Sequence, residues 1–182
     1  ALDAGAQVTA VWPAGMDAPF STVSPGSTVR LNLQYHSAGA AARVLFDQFG
    51  LPRLRSRIGA GLVHYLANFG PICRADGVVV TVHDLSFMRH SEWFRADRAA
   101  YYRLAARRTA RVACRLIADS QATARDIAEF LGFPSGRIDV IPLGVDTTFH
   151  PATEDACRGV REKYRLPAAF FLYVGTMEPR KN

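Results

Sequence analysis

Apolar segments alternate with segments of helical spacing along the chain, a pattern that predicts a parallel β-sheet with flanking helices. Residues 78–82, Val-Val-Val-Thr-Val, form a β-branched run, which is typical of a central parallel strand covered on both faces. Shorter apolar or alternating runs predict the other strands. These predicted strands cover residues 7–12, 29–35, 62–66, 116–118, 137–141 and 170–174. The expected fold class is therefore α/β.

Capping and breaking residues set the expected bounds of the helices. Ser120 and Gly132 flank residues 121–131, so a helix is expected to begin and end there. Residues 40–49 also have helical spacing, and the Gly-Leu-Pro sequence that follows them is expected to end that helix.

A change in composition predicts a domain boundary. Residues 146–152 are rich in Asp, Thr and Pro and are typical of a linker. Thr153 then begins a helix with acids in its first turn and bases in its last, which suits the helix dipole. The prediction is one domain over 1–145 and the start of a second over 153–182. Because the chain lacks an initiator Met and stops just after a predicted strand, we expect a fragment truncated at both ends.

Composition and cysteine spacing exclude several classes of protein. The 182 residues are 49% hydrophobic and 21% charged, which is sufficient for a buried core. No apolar run approaches the ~18 residues of a membrane-spanning helix. The three cysteines lie far apart without a Cys-x-x-Cys pair, which argues against a disulfide framework or a zinc site. A cytoplasmic protein without a metal is expected.

Positive charge is concentrated in one segment. Of the 22 basic residues 20 are arginines, and eight of these lie between Arg89 and Arg115 with only two acids. Arg103, Arg107, Arg111 and Arg115 are four apart and predict one stripe of a helix. Such a stripe suits an anionic membrane surface or nucleic acid, or is simply solvated. Binding of nucleic acid is not expected, because no aromatic residues alternate with the arginines in a recognition pattern and no known motif is present. The hypothesis is therefore peripheral contact with the inner membrane through Arg103, Arg107 and Arg111.

Two polar groups follow predicted strands, at the sheet edge where open α/β proteins bind ligands. His83 and Asp84 come directly after residue 82 and could contact a sugar hydroxyl or a phosphate. Alternatively, Asp84 caps the next turn and His83 is a structural histidine. Arg180 and Lys181 follow the strand expected at 170–174 and could bind a diphosphate, or they are an ordinary solvated basic pair.

An ordered set of motifs resembles the retaining nucleotide-sugar glycosyltransferases of the GT-B fold, in the bacterial family four group that includes many mannosyltransferases. The match extends over about residues 60–182, with the preceding residues fitting only loosely. The motifs occupy residues 79–87, 92–94, 118–123, 138–146 and 173–182.

The resemblance implies a Rossmann-like acceptor-side domain facing a donor domain across a cleft. It implies roles for residues at several positions. His83 and Asp84 would be catalytic, Arg180, Lys181 and Gly175 would hold the donor diphosphate, and Asn68, Phe69, Gly70 and Ser120 would lie on the acceptor side. Some relatives carry Arg where this chain has Thr176, which places more of the phosphate charge on Arg180 and Lys181.

The function implied by the resemblance is transfer of a mannose-like or glucose-like hexose from a nucleoside-diphosphate sugar to a glycan or lipid-linked acceptor. Configuration would be retained, no metal or other cofactor would be required, and the isolated fragment would be inactive because half of the cleft is missing. Three alternatives are a basic nucleic-acid or membrane-surface module, an enzyme that cleaves glycosidic or phosphate linkages, and a nucleotide-sugar epimerase.

Overall fold

The structure, a computed structural model, describes residues 7–13, 28–35, 44–66, 68–72 and 76–177. The chain divides into two compact units, Ala1–Gly61 and Leu62–Asn182. The domain boundary predicted near residue 146 stays a prediction.

The first unit contains a pair of parallel strands and a helix. Strands β1 (Gln7–Pro13) and β2 (Thr28–Tyr35) pair in parallel, as the apolar pattern predicts. A π-helical turn, Phe46–Gly50, leads directly into helix α1 (Leu51–Ile58). The expected helix end at Gly-Leu-Pro is wrong because the proline occupies the first turn of α1, where its missing N–H is not needed.

The second unit is built on a four-stranded sheet in which all neighbouring strands are parallel and follow chain order. Helices lie between and beside these strands, which makes the arrangement α/β and Rossmann-like, as expected. The strands are β3 (Val63–Tyr65), β4 (Val78–Val82), β5 (Arg115–Ala118) and β6 (Ile138–Val140). The helices are α2 (Ser86–Arg89), α3 (Ala96–Val112), α4 (Gln121–Leu131) and α5 (Glu154–Tyr164).

The core lies around β4 and β5, as the β-branched run predicts. Val80 and Leu116, which are paired across the two strands, are fully buried. Helix α3 buries small residues such as Ala105 and Ala106, so its backbone can approach the sheet closely. Other apolar core residues are Val78, Val82, Leu85, Phe87, Ala118, Ile127 and Phe133.

Helix caps follow the sequence rules. The Ser120 hydroxyl accepts a hydrogen bond from the Thr123 N–H, 3.1 Å away, and begins α4. Gly132, with φ of 62°, ends this helix in the left-handed conformation that glycine adopts without a steric penalty. Thr153 caps α5 in the same way as Ser120 caps α4.

Two expectations are wrong. Residues 170–174 form no strand in the described part of the chain, and a strand requires a neighbouring ladder. These residues expose large apolar side chains, including Phe171 and Val174. The four-arginine stripe is also broken, because α3 ends at Val112 and Arg115 belongs to β5, where it pairs with Asp139 at 2.6 Å. Among the described residues no helix is both long enough and apolar enough to cross a membrane.

Candidate functional site at the carboxyl edge of the sheet

The candidate site is built where the parallel strands β4 and β5 end side by side. Val82 and Ala118 are partners in the ladder, so the next residues, His83 and Asp119, leave the sheet at the same edge. His83 Nδ1 lies 2.6 Å from Asp119 Oδ2. Strand register thus brings an imidazole and a carboxylate together from positions 36 residues apart.

The backbone and ring of His83 are held on several sides. Its Nε2 lies 2.8 Å from the carbonyl oxygen of Leu66. Its backbone N–H donates to Asn68 Oδ1 at 2.7 Å, and its carbonyl oxygen accepts from the Thr123 hydroxyl at 3.1 Å. The ring is therefore held by the loop after β3 and by the residue that follows β5, while α4 holds the backbone.

The electrostatic surroundings of His83 favour its charged form. The hydrogen bond with Asp119 raises the pKa of His83 above its ordinary value of 6.5; partial burial opposes this, while the Leu66 carbonyl and the charges of Asp119 and Asp84 add to it. The His83 side chain remains 41% exposed and that of Asp119 is 16% exposed. A cationic ring that is accessible from solvent can meet an anionic ligand.

Asp84 shapes the turn that follows His83. Its Oδ1 accepts from the Ser86 N–H at 2.9 Å and from the Ser86 hydroxyl at 2.5 Å. This Asx turn leads into α2. The capping interpretation of Asp84 thus describes its geometry, and its predicted catalytic role stays a prediction.

Residues 68–70 form a loop that is tied to the site and to the core. Asn68, whose side chain holds the His83 N–H, has φ of 42°. The ring of Phe69 stacks on Tyr102, with centroids 5.4 Å apart. The N–H of Gly70 donates to the buried Thr109 hydroxyl at 2.9 Å. The predicted acceptor-side residues Asn68, Phe69 and Gly70 are thus anchored directly beside His83.

The remaining predicted site residues differ in whether the structure places them near His83. Ser120 lies next to Asp119 and caps α4, whose Thr123 contacts His83. Gly175 makes no hydrogen bond with the other candidates in the described part of the chain. Arg180 and Lys181 lie outside the described residues. Asp119 was not among the predicted site residues; its position directly after a predicted strand was the available signal, and its contact with His83 follows from the register of β4 and β5.

The described residues contain no group of three or more His, Cys, Asp and Glu side chains that could hold a metal ion. The polar groups at this edge are suited to hydrogen bonding, and protonated His83 adds a positive charge beside Asp119.

A polar site at the carboxyl edge of a parallel sheet is typical of α/β enzymes that bind ligands at this edge. The model of Glycosyltransferase Family 4 matches residues 2–149, and the chain belongs to this family. It is similar to the O-antigen chain mannosyltransferase B of Escherichia coli, with 29% identity over 121 residues, 66% of this chain and 32% of that protein. It is also similar to the serotype-specific mannosyltransferase WbdA of Escherichia coli, with 33% identity over 69 residues, 37% of this chain and 8% of that protein. The chain thus spans about a third or less of the length of these curated relatives.

Proposed function

We propose that the protein to which this chain belongs transfers a hexose, mannose-like or glucose-like, from a nucleoside-diphosphate sugar to a glycan or lipid-linked acceptor. Family membership supports glycosyl transfer, and both curated relatives are named mannosyltransferases. The observation that carries the proposal is the fixed, partly exposed His83 at the carboxyl edge.

The proposed chemistry is substitution at the sugar anomeric carbon with retained configuration. The bond between this carbon and the diphosphate oxygen breaks, the acceptor oxygen forms the new glycosidic bond, and the acceptor proton leaves with the nucleoside diphosphate or to solvent. Charge grows on the departing diphosphate as the sugar becomes oxocarbenium-like. A fixed cation such as protonated His83 stabilises this charge without reorganising, so no metal or other cofactor is required in the proposal.

The donor diphosphate is proposed to lie between His83 and the segment that contains Gly175, Arg180 and Lys181. The exposed apolar run at 170–174 supports this organisation, because Phe171, Leu172 and Val174 are 107%, 76% and 83% exposed. Large apolar side chains are more often buried, so this run is suited to packing against another element of the whole protein. We assign residues 1–145 to an acceptor-side domain, 146–152 to a linker and 153–182 to the start of a donor-binding domain of the GT-B type, with the chain a fragment of the whole enzyme.

The experiment that tests this function uses the complete polypeptide and a panel of nucleoside-diphosphate hexoses. Release of nucleoside diphosphate is followed with and without glycan acceptors and with EDTA, and anomeric proton NMR reports the configuration of the product. Acceptor-dependent release that survives EDTA, with retained configuration, is expected. Conversion of the donor into an isomeric nucleotide sugar, or donor cleavage unaffected by any acceptor, would replace the proposal with an epimerase or a hydrolase.

A second proposal concerns the exposed face of α3. Arg107 and Arg111 are exposed and have no acidic partner among the described residues, whereas Arg103 is partly buried and donates to the Phe87 carbonyl. The two unpaired cations support peripheral contact with the anionic inner membrane, with Arg103 less available for it. Two near-surface charges are worth about 1 kcal/mol each at an anionic membrane.

Vesicle sedimentation tests this contact. The Arg107→Gln/Arg111→Gln variant is expected to bind phosphatidylglycerol vesicles more weakly by about fivefold per charge removed. An Arg125→Gln variant of the exposed arginine on α4 serves as the matched control. Equal binding by all three proteins would end the membrane proposal.

A further inference from the structure

We infer that Asp119 is a positioning residue that holds His83 as an imidazolium donating from both ring nitrogens, so that His83 provides a fixed positive charge and does not act as a general base. This inference rests on the proposed function for its catalytic meaning. Its structural part concerns only the state of the His83 ring.

The two ring contacts of His83 require two donors. Nδ1 lies 2.6 Å from a carboxylate oxygen and Nε2 lies 2.8 Å from a carbonyl oxygen. Neither acceptor group carries a proton to donate in its ordinary state at neutral pH, and a neutral imidazole donates from one nitrogen only. In the neutral ring one nitrogen lone pair would therefore face an oxygen lone pair. The imidazolium satisfies both contacts at once.

The backbone of His83 is also held in place, which fixes the point from which the ring extends. Asn68 holds the His83 N–H and Thr123 holds its carbonyl oxygen. Leu66, which supplies the carbonyl for Nε2, lies two residues before Asn68, so one loop engages both the backbone and the ring. The orientation of the imidazole is thus determined from outside the residue.

Asp119 depends on the charge of His83 in return. Its Oδ2 faces the ring, while its Oδ1 is buried and has no hydrogen-bond partner within the described residues. Burying a carboxylate oxygen without a partner is energetically costly, because the oxygen loses its hydrogen bonds to water. The cationic ring is the charge that offsets this cost, so the pair is stable when His83 is protonated.

The groups facing His83 are acidic or neutral. Asp119 approaches from the end of β5, Asp84 lies on the same loop as His83, and Asn68, Leu66 and Thr123 contribute neutral groups. No described cation contacts the ring. Together these surroundings raise the pKa of His83, with the Asp119 hydrogen bond as the largest cause.

The imidazolium has a direct chemical consequence. Both N–H groups are already engaged and no lone pair is free, so the ring cannot accept a proton from an acceptor hydroxyl. Its positive charge offsets negative charge of Asp119 and Asp84, so the edge becomes more negative, and less favourable to a diphosphate, as the ring loses its proton at rising pH. A general base would have the opposite dependence, with activity lost as pH falls.

Nitrogen-15 NMR of the His83 ring tests the inference without turnover. We expect both ring nitrogens to be protonated at pH 7 and the ring to titrate above 6.5, the ordinary histidine value. Asp119→Asn should lower that titration point, Asp119→Glu should restore part of it, and Asp126→Asn, which alters a carboxylate paired with Arg89, should leave it unchanged. A neutral ring in the unmodified protein at pH 7 would overturn the inference even if the variants failed to fold.

Kinetics separates this inference from the proposed function. With the complete polypeptide, turnover should fall as pH rises through the His83 titration, and Asp119→Asn should move that fall to lower pH. Sugar transfer that is instead lost as pH falls through the His83 titration refutes the fixed-charge role while keeping the transferase. A doubly protonated ring in a protein that transfers no sugar refutes the proposed function while keeping the charge state.

Discussion

The pKa values of two histidines, His64 within β3 and His83 just beyond the neighbouring strand β4, shift in opposite directions. His64, within β3, has Nε2 2.8 Å from the Thr81 hydroxyl, and partial burial lowers its pKa. His83, just beyond β4, meets a carboxylate and has its pKa raised. Both residues are exposed at the surface, so the difference in pKa comes from their neighbours: desolvation beside a hydroxyl favours a neutral ring at His64, and a carboxylate favours a cation at His83. Residue type alone does not distinguish a structural histidine from a candidate functional one, whereas its position along the strand does.

The largest effect on stability is expected from a side chain added at Gly70, because this residue joins the loop that contains Asn68 to the core. A Cβ at this position would lie 2.9 Å from Val80 Cγ2, on a fully buried β-branched side chain that cannot yield easily. Gly70→Ala is expected to destabilise the protein by about 1–3 kcal/mol. Urea unfolding measures this change.

Gly136→Ala is the matched control for this change, because a Cβ there meets nothing within 4 Å. Its effect should stay within about 0.5 kcal/mol. Equal effects of the two substitutions would show that the loop does not pack against β4 as described.

Substitutions of Asn68 perturb the carboxyl edge of the sheet more selectively than Gly70→Ala does. Asn68→Ala removes the hydrogen bond to the His83 N–H and places alanine at φ of 42°, for an expected loss of about 1–2 kcal/mol. Asn68→Gly removes the same hydrogen bond and tolerates the left-handed backbone. The glycine variant should therefore be the more stable of the two in urea unfolding, and the reverse order would contradict the left-handed loop.

The two histidines should respond to pH with opposite signs. Because the folded pKa of His83 is raised, its stabilisation is present below its unfolded value near 6.5 and is lost as pH rises through the folded pKa. Because the folded pKa of His64 is lowered, its contribution is present above 6.5 and is lost as pH falls.

Urea unfolding across pH checks these signs. The difference between the unmodified protein and His83→Gln should shrink from pH 6 to pH 9, by no more than about 1 kcal/mol since the pair is partly exposed. The difference for His64→Gln should shrink toward pH 5. The same sign for both variants would contradict the opposite pKa shifts of the two histidines.

Much of the fold was predictable because local rules and long-range packing agree. The β-branched run of β4, the cap at Ser120 and the stop at Gly132 each specify the structure that forms. The predictions from local rules were wrong where tertiary packing determines the secondary structure. The run at 170–174 has strand composition without a described ladder partner, and Arg115 continued a helical spacing although its chain had already entered β5.

The candidate site was predictable only in part. The structure brings His83 and the loop at 68–70 together, and their roles stay predictions; His83 was singled out because it directly follows a buried strand. Asp119 was missed because its importance depends on the register between β4 and β5, which the order of residues does not reveal by itself. The charge state of His83 depends on the same register, so it could not be derived before the strands were paired.

The most direct test of the account compares turnover of the two histidine variants in the complete polypeptide with a nucleoside-diphosphate hexose and acceptor. His83→Gln should lower kcat by about 10²–10³, the usual cost of removing one preorganised stabilising group, while His64→Gln should stay within about tenfold of the unmodified protein. Near-normal turnover of His83→Gln, or an equal loss in both variants, would contradict the assignment of the carboxyl edge as the catalytic site.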